Sequence, residues 1–247
     1  DVNSKNFNFS LNGSNSLQFY PNMRYFNPKI SYKISDCDLQ KKDDMLRAFE
    51  IIQEKSILTF YPVNDNEEIS VSCNEKQKIE EGLFVAGEGG PINITQTDLF
   101  NIIFRGKILL LRKSQCPNPT VGVHELLHAL GFTHSNNKRN IMYPVNNCDQ
   151  VISDDIIDAI NSLYSIPSYP DLVFTDISTN MEGKYLNTEI SIRNQGLKPS
   201  EKTNVLISVD GKEIKSVDLN PIEVGYGRTI KLKNVWVPRI NVKEIEF

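Results

Sequence analysis

The sequence has few of the features that mark membrane proteins, nucleic-acid-binding proteins or exported precursors. Its 247 residues carry a formal net charge of −4, and without a long basic run this composition argues against a nucleic-acid partner. No apolar run approaches the length that a bilayer span requires. Residues 1–4 show no signal-peptide core, so we expect that a signal was either removed or omitted. The length suggests one or two domains, with ample material for a hydrophobic core.

Histidine is also scarce, and its placement is informative. The chain has three histidines, and all of them fall in one short stretch, at His124, His128 and His134. On a helix the first two lie four residues apart and leave the same face. Gly131 can adopt the left-handed conformation that ends a helix, so the chain can turn and bring back His134. Three neutral imidazoles and one open position indicate a catalytic zinc site, with Glu125 placed to take a proton from water.

The alternative interpretation is a buried amphipathic helix whose histidines are incidental. It requires that every histidine of the chain falls into a ligand pattern by chance. We therefore favour the metal site.

These residues resemble a known family motif. The stretch from His124 to His134 is similar to the extended zinc motif of the metzincin metalloproteases, H-E-x-x-H-x-x-G-x-x-H. Downstream, residues 140–144 read Asn-Ile-Met-Tyr-Pro, which resembles the Met-turn in its matrixin form. The resemblance implies one catalytic Zn²⁺ held by the three histidines, with Met142 at the base of the site. It also implies peptide-bond hydrolysis in which Glu125 accepts the proton of a water molecule and delivers it to the leaving amine.

The chain departs from the matrixin pattern in several places. No spare histidine is present for a second, structural zinc, and calcium could bind but is not signalled. Where matrixins have Pro-x-Tyr after the Met-turn, this chain has Pro144-Val145-Asn146. The resemblance therefore places Tyr143, Pro144 and Asn146 at a substrate pocket with a smaller and more polar wall. Cys37 lacks the flanking residues of a cysteine switch, so any latency works otherwise.

Four cysteines permit three disulfide pairings. None lies in a close pair of the metal-binding kind, and free buried thiols are the alternative. The even count and the resemblance to secreted proteases favour two disulfides and an oxidising compartment. We expect Cys37–Cys73 and Cys116–Cys148, because the second bridge would tie together both ends of the metal-site segment.

The first part of the chain predicts a mixed arrangement of strands and helices. Phe7, Phe9 and Leu11 alternate as in a short strand, either an extra sheet strand or a residual pro-segment near the cleft. Residues 87–91 read as a turn-rich connection. Asp38 is a plausible cap of the first helix. The other predictions are strands at 30–34, 56–63, 68–73 and 83–86, a helix at 39–54, a zinc helix with Asn118 as cap and Pro119 in its first turn, and a helix at 154–164 capped by Ser153.

The run at residues 107–113, just before the zinc helix, is rich in β-forming residues. In the fold that the resemblance implies, Leu109, Leu110 and Leu111 would lie in an edge strand along the rim of the cleft. A peptide substrate could pair with such an edge. An interior strand without a ligand is the equal alternative.

After a proline-bearing linker at residues 165–170, the periodicity becomes two-residue throughout. Strands are predicted at 172–177, 188–194, 204–209, 212–219 and 229–235, with a hairpin turn at Asp210-Gly211. Such spacing indicates a small β-sandwich. Residues 170–173, 192–196 and 209–212 resemble the CARDB domain, an immunoglobulin-like, adhesion-related module.

The predicted fold class is α+β, with a metzincin-type domain of twisted sheet, active-site helix and C-terminal helix, followed by an all-β sandwich. We expect an N-terminal extension or residual pro-segment at residues 1–27, the zinc peptidase domain at 28–166 and the β-sandwich domain at 171–247. The predicted function is a secreted or cell-surface zinc endopeptidase acting on proteins or peptides, whose β-domain binds a surface or protein ligand. The alternatives are a non-catalytic, zinc-containing adhesion protein, which the retention of Glu125 disfavours, and a zinc hydrolase acting on a non-peptide substrate.

Overall fold

Two units, each with its own hydrophobic core, make up the described chain. The computed structural model describes residues 17–74, 78–80, 83–113, 115–238 and 242–247. Among these, the residues up to Pro167 belong to one unit and those from Ser168 to the other. The strand predicted around Phe7, Phe9 and Leu11 lies outside the described residues. None of the helices in the described ranges is long and apolar enough to cross a membrane.

A mixed sheet and its covering helices form the first unit. In chain order the elements are β1 Met23–Tyr25, β2 Lys29–Ser35, α1 Leu39–Lys55, β3 Thr59–Pro62, β4 Ile69–Cys73, β5 Ile79–Glu80, β6 Leu83–Phe84, β7 Gly87–Gln96, β8 Asn101–Leu110, α2 Thr120–Ala129 and α3 Asp154–Tyr164. Strands β1, β8, β4, β2 and β3 follow one another in the sheet, and their pairings are parallel. Strand β7 pairs with β8 in the antiparallel direction. The small β5–β6 hairpin pairs separately.

The sheet departs from the sequence predictions around β7. Residues 87–91, expected as a turn-rich connection, begin this strand, so that prediction is wrong. The run has glycines because the strand passes close to a helix and leaves no room for side chains there, as described below. Strand β1 was not predicted, because three residues are too few to show an alternating pattern.

Helix α1 follows the expected amphipathic pattern. The side chain of Asp38 accepts a hydrogen bond from the amide of Lys41, 3.1 Å away, which confirms the predicted cap. Met45, Phe49 and Ile52 are buried at three- and four-residue spacing. The helix therefore lies against the sheet with one apolar stripe, and the ring of Phe49 stacks on Tyr32 with centroids 4.2 Å apart.

Helix α2 is buried along its whole length. It begins at Thr120 and not one residue earlier, so the prediction of Asn118 as cap and Pro119 in the first turn is wrong. The backbone of Pro119 has ψ 60°, which is not helical, so Pro119 occupies the N-cap position, without a capping hydrogen bond from its side chain. The other end agrees with the prediction, because Gly131 has φ +98° and turns the chain after the last helical residues.

Helix α3 is held to the first strand by a buried arginine. The predicted bounds and the cap position of Ser153 are confirmed. The guanidinium of Arg24, which is fully buried, donates to the carbonyl oxygens of Leu163 and Ile166. It also donates to those of the next two residues, Tyr25 and Phe26. It also lies over the ring of Tyr164, 4.7 Å from the centroid. Burial lowers the pKa of this arginine. These contacts join the start of the sheet to the last helix of the unit.

The second unit is all β. Its elements are β9 Leu172–Glu182, β10 Tyr185–Asn194, β11 Thr203–Val209, β12 Lys212–Leu219, β13 Gly227–Trp236 and β14 Ile245–Glu246. Two antiparallel sheets, β13-β10-β9 and β12-β11-β14, enclose a core that includes Leu186, Ile190 and Ile207. Asp210 and Gly211 have φ +46° and +75°, which confirms the predicted hairpin turn. The arrangement is that of a small β-sandwich.

A buried asparagine organises one end of this sandwich. Asn194 is fully buried, and its Oδ1 accepts from the amides of Asp171 and Gly196 at 3.1 and 3.0 Å. Its Nδ2 donates to the carbonyl oxygens of Lys198 and Ile222 at 2.8 and 2.9 Å. One side chain thus satisfies the polar groups of three separate chain segments.

Candidate metal centre and cleft

Three histidine side chains converge at the end of helix α2. His124 and His128 leave the same face of the helix, and the turn after Gly131 brings His134 back to them. One ring nitrogen from each lies within 4.8 Å of the others. The Nε2 atoms of His128 and His134 are 3.1 Å apart. The structure therefore brings together the three residues that the sequence pattern singled out.

Backbone carbonyl groups orient two of these rings. Nδ1 of His124 donates to the carbonyl of Ile141 at 2.6 Å, and Nδ1 of His128 donates to that of Phe132 at 2.8 Å. With the proton on Nδ1, a neutral imidazole leaves the lone pair on Nε2 free. Burial lowers the pKa of both rings, to about 3 for His128, where the neighbouring His124 lowers it further. Partial burial also lowers the pKa of His134, the most exposed of the three. All three are consequently neutral at pH 7.

Glu125 lies buried beside this cluster. Glu125 is the residue after His124 on α2, and it is 6% exposed. Burial raises the pKa of its carboxyl group to about 8, and the negative charge of Glu88 on β7 adds to the effect. A carboxyl group whose pKa lies near neutrality can both accept and donate a proton.

Two glycines of β7 allow the strand to approach Glu125. A Cβ atom on Gly87 would lie 2.8 Å from the Cγ and Oε1 atoms of Glu125. A Cβ atom on Gly89 would lie 2.3 Å from its backbone oxygen. Any larger residue at these positions would displace either the carboxyl group or the strand.

Comparison with known families agrees with this geometry. Residues 24–165 match the family model Matrixin, and this match covers more than half of the chain. The chain belongs to the matrixin family. Residues 169–246 match the CARDB model, so the protein is matrixin-like with a C-terminal CARDB domain. No curated protein matches the chain.

The matrixin family implies zinc, and the residues present fit this ion. Around tetrahedral zinc, Zn–N distances of about 2.0–2.1 Å place ligand nitrogens roughly 3.3 Å apart. The 3.1 Å between His128 and His134 is near this value. Neutral imidazoles with free Nε2 lone pairs and with Nδ1 bonded to carbonyl groups are the form that binds zinc. The group could therefore hold a metal ion.

The histidine cluster lies in a cleft of about 950 Å³. Its lining includes the three histidines, Glu125, the start of β7, and residues 144–148 after the predicted Met-turn. Pro144 and Asn146 are in this lining, whereas the half-buried Tyr143 is not. Met142 is buried in the core of the matrixin unit, 1% exposed.

Both predicted disulfides are present in the structure. Cys37 pairs with Cys73, and Cys116 pairs with Cys148. Cys116 precedes α2 and Cys148 follows the predicted Met-turn, and both cysteines line the cleft. This bridge therefore closes the segment that carries the metal centre.

Of the two interpretations of residues 107–113, the edge strand is wrong and the interior strand is right. Leu109 and Leu110 belong to β8, which pairs with β4 on one side and with β7 on the other. Leu111 lies just after the strand, with its amide bonded to the carbonyl of Ala86 at 2.9 Å. The strand along the cleft is therefore β7. It was not predicted as a strand because its glycines are typical of a turn.

Sequence reasoning also missed residues that contact the site from elsewhere in the chain. Glu88 influences Glu125 from β7, and Phe19 stacks on His128 with ring centroids 5.6 Å apart. The glycine-rich run around Glu88 was a usable signal, because glycine in a strand often marks a close backbone approach. The sequence around Phe19 contains no comparable motif.

Proposed function

We propose that this matrixin is a zinc-dependent endopeptidase that hydrolyses peptide bonds of extracellular or cell-surface proteins. The observation that carries the proposal is the convergence of three neutral histidines with one buried carboxyl group at the floor of an open cleft. The matrixin domain supports a metallopeptidase. His124, His128 and His134 would hold the metal, and Glu125 would act in proton transfer.

The metal and the carboxyl group have separate tasks in this proposal. Zinc, when bound, supplies Lewis-acid chemistry that polarises the scissile carbonyl group and acidifies water. Glu125 accepts the proton of the attacking water and passes it to the nitrogen of the leaving amine. Its carboxyl group lies next to the ligand cluster, so the positive charge held there would lower its pKa from about 8 and favour the accepting form. Gly87 leaves the carboxyl group the space that it occupies.

The cleft suits an extended polypeptide. Along one side runs β7, which pairs with β8 and, within the described residues, with no strand on its outer side. A substrate strand could pair along this side of β7. Pro144 and Asn146, which also line the cleft, would contact the residue that follows the cut. A wall of this kind is smaller and more polar than one built by tyrosine.

The two disulfides and the matrixin family fit an extracellular protein. We propose that the CARDB unit contributes attachment to a surface or capture of a protein substrate, and that the zinc unit performs the hydrolysis. The CARDB match supports a separate module for residues 169–246. Loss of the CARDB unit should then reduce cleavage of large or immobilised substrates more than cleavage of short peptides.

The test is cleavage of a peptide library, read by mass spectrometry, with and without a zinc chelator. Glu125→Gln keeps the size of the side chain but removes its proton-accepting oxygen, so we expect zinc to bind and cleavage to be lost. Glu80→Gln, a change to another carboxylate of the cleft lining, is the matched control and should leave cleavage unchanged. Cleavage by a zinc-loaded Glu125→Gln variant at the normal rate would contradict the role of Glu125. Zinc binding without any cleavage by the unaltered chain would favour the non-catalytic adhesion protein.

A further inference from the structure

The chain leading into β1, up to its first residue, forms a small closed loop, residues 17–23, which we call the N-terminal brace. Gln18 closes it by itself: its Nε2 donates to the carbonyl of Met23 at 2.7 Å, and its Oε1 accepts from the amide of Met23 at 3.0 Å. A side chain bonded to both backbone groups of a residue five positions away fixes the shape of the loop.

The brace is joined to the turn that carries the third histidine. The amide of Phe19 donates to the carbonyl of Gly131 at 2.9 Å, and the amide of Thr133 donates to the carbonyl of Leu17 at 2.9 Å. Thr133 immediately precedes His134. Met23 fills the space beside Gly131, where an added Cβ would lie 2.7 Å from its Cγ and Sδ atoms. The turn after α2 is therefore held from outside by the brace, and not only by its own helix.

Phe19 extends from the brace onto the ring of one proposed metal ligand, His128. Its ring stacks on that of His128, with centroids 5.6 Å apart and planes inclined by 26°. This geometry is an offset stack, which is favourable for aromatic pairs. Phe19 is nevertheless 42% exposed, so burial in a core does not account for its position. The hydrogen bond from Nδ1 to Phe132 holds one edge of the His128 ring, and Phe19 covers a face.

We propose that Phe19 is a positioning residue for the metal centre, and that the N-terminal brace controls how tightly this chain retains zinc. Phe19 restricts the rotation of His128, while the backbone bonds of the brace hold the arm that ends in His134. The matrixin match begins at Arg24, so the brace lies outside the matched region. Metal retention here depends on a segment that the family pattern does not include. This inference rests on the proposed zinc site.

The experiment compares zinc retention in full-length variants. Phe19→Ala removes the stacked ring, and Phe19→Tyr keeps it. Tyr20→Ala is the matched control, because Tyr20 is the next residue of the brace and is 55% exposed. The zinc dissociation constant is measured by competition with a chromophoric chelator, and zinc release is followed in chelator excess. The absorption spectrum of the Co²⁺-substituted protein reports the ligand geometry independently of activity.

We expect Phe19→Ala to raise the zinc dissociation constant and the release rate about 10-fold, as for other groups that support a metal ligand from behind. Its Co²⁺ spectrum should also change. Phe19→Tyr should restore retention to within roughly twofold, since the ring and its stacking remain. Tyr20→Ala should match the unaltered chain. Because Phe19 is partly exposed, the melting temperature of the metal-free protein should be the same in all variants.

Several results would overturn the inference. Zinc retention by Phe19→Ala equal to that of the unaltered chain would do so, as would failure of Phe19→Tyr to restore it. A fall in the melting temperature of metal-free Phe19→Ala, with unchanged Co²⁺ spectrum, would make the effect one of general stability and refute positioning. If the unaltered chain bound no zinc, the proposed function would fail first and the inference with it. If the unaltered chain and Phe19→Ala bound zinc equally well, the inference would be overturned and the proposed function would stand.

Discussion

Substitution of Gly87 by alanine should damage the chemistry of this protein much more than its stability. The added Cβ would lie 2.8 Å from Cγ and Oε1 of Glu125, whereas ordinary contacts begin at 3.4 Å. Because β7 is held by its pairing with β8, we expect the carboxyl group to move, by at least about 0.6 Å, the difference between these distances. The crowded atoms are side-chain atoms of Glu125, from Cγ to Oε1, so a change of its torsion angles can relieve the contact at a cost of about 0.5–1.5 kcal/mol.

The displacement acts on the group that we propose to transfer the proton. A misplacement of about 1 Å can cost roughly 100-fold in rate, so a shift of this size should lower kcat by about 10- to 100-fold. KM should change little, because the cleft walls stay in place. Zinc content should be unaffected, since the added atom crowds Glu125 and none of the three histidines is among its nearest neighbours.

Gly90 offers a matched control on the same strand. A Cβ at this position would meet nothing within 4 Å, so Gly90→Ala should retain normal kcat. Steady-state cleavage of one fluorogenic peptide by the three zinc-loaded proteins makes the comparison. Equal kcat values for Gly87→Ala and Gly90→Ala would refute the reasoning, because they would mean that the position of the Glu125 carboxyl group does not limit the reaction.

Three further predictions concern the units and their bridges. Asn194→Ala should destabilise the CARDB unit by about 2–4 kcal/mol, because buried amide and carbonyl groups lose their partners. Asn204→Ala, a change at an exposed position, should alter the stability little. Equal urea midpoints for the two variants would contradict the prediction. A chain ending at Tyr169 should still bind zinc and cut short peptides, and a folded, zinc-loaded product without activity would disprove the separation. Replacing Cys116 and Cys148 by serine should lower the free energy of unfolding by about 3–4 kcal/mol in the chain-entropy model, and unchanged thermal unfolding under non-reducing conditions would oppose it.

The metal ligands were predictable because their pattern is local. The four-residue spacing makes His124 and His128 neighbours on one face of a helix. Gly131 predicts the end of the helix and the turn that brings His134 back to them. The same holds for the Asp210-Gly211 hairpin and for the cap at Asp38, where the chemistry of a few adjacent residues decides the conformation. Local rules of this kind need no knowledge of the rest of the fold.

Features that depend on distant segments were not predictable. From the sequence alone, the glycines of β7 are typical of a turn. Once helix α2 is known to pack against them, their lack of side chains is explained by the close approach of strand and helix. The apolar run of Leu109 and Leu110 suits an edge or an interior strand equally, because pairing partners are chosen by the whole sheet. The stacking of Phe19 on His128 joins residues more than 100 positions apart in the sequence. The spacing of apolar residues predicts contacts only within a helix or a strand, so it could not predict this one.

The buried Arg24 places a constraint on the order in which the matrixin unit can fold. Its hydrogen bonds to the carbonyl oxygens of Leu163 and Ile166 span 139 and 142 residues of sequence. A ribosome exposes Arg24 early and the end of α3 only when the matrixin unit is nearly complete, so a growing chain holds a cation two of whose carbonyl partners have not yet been made. Burying that charge without them costs several kcal/mol, which keeps the incomplete sheet from closing. Folding of the unit is thereby deferred until nearly all of it has been synthesised.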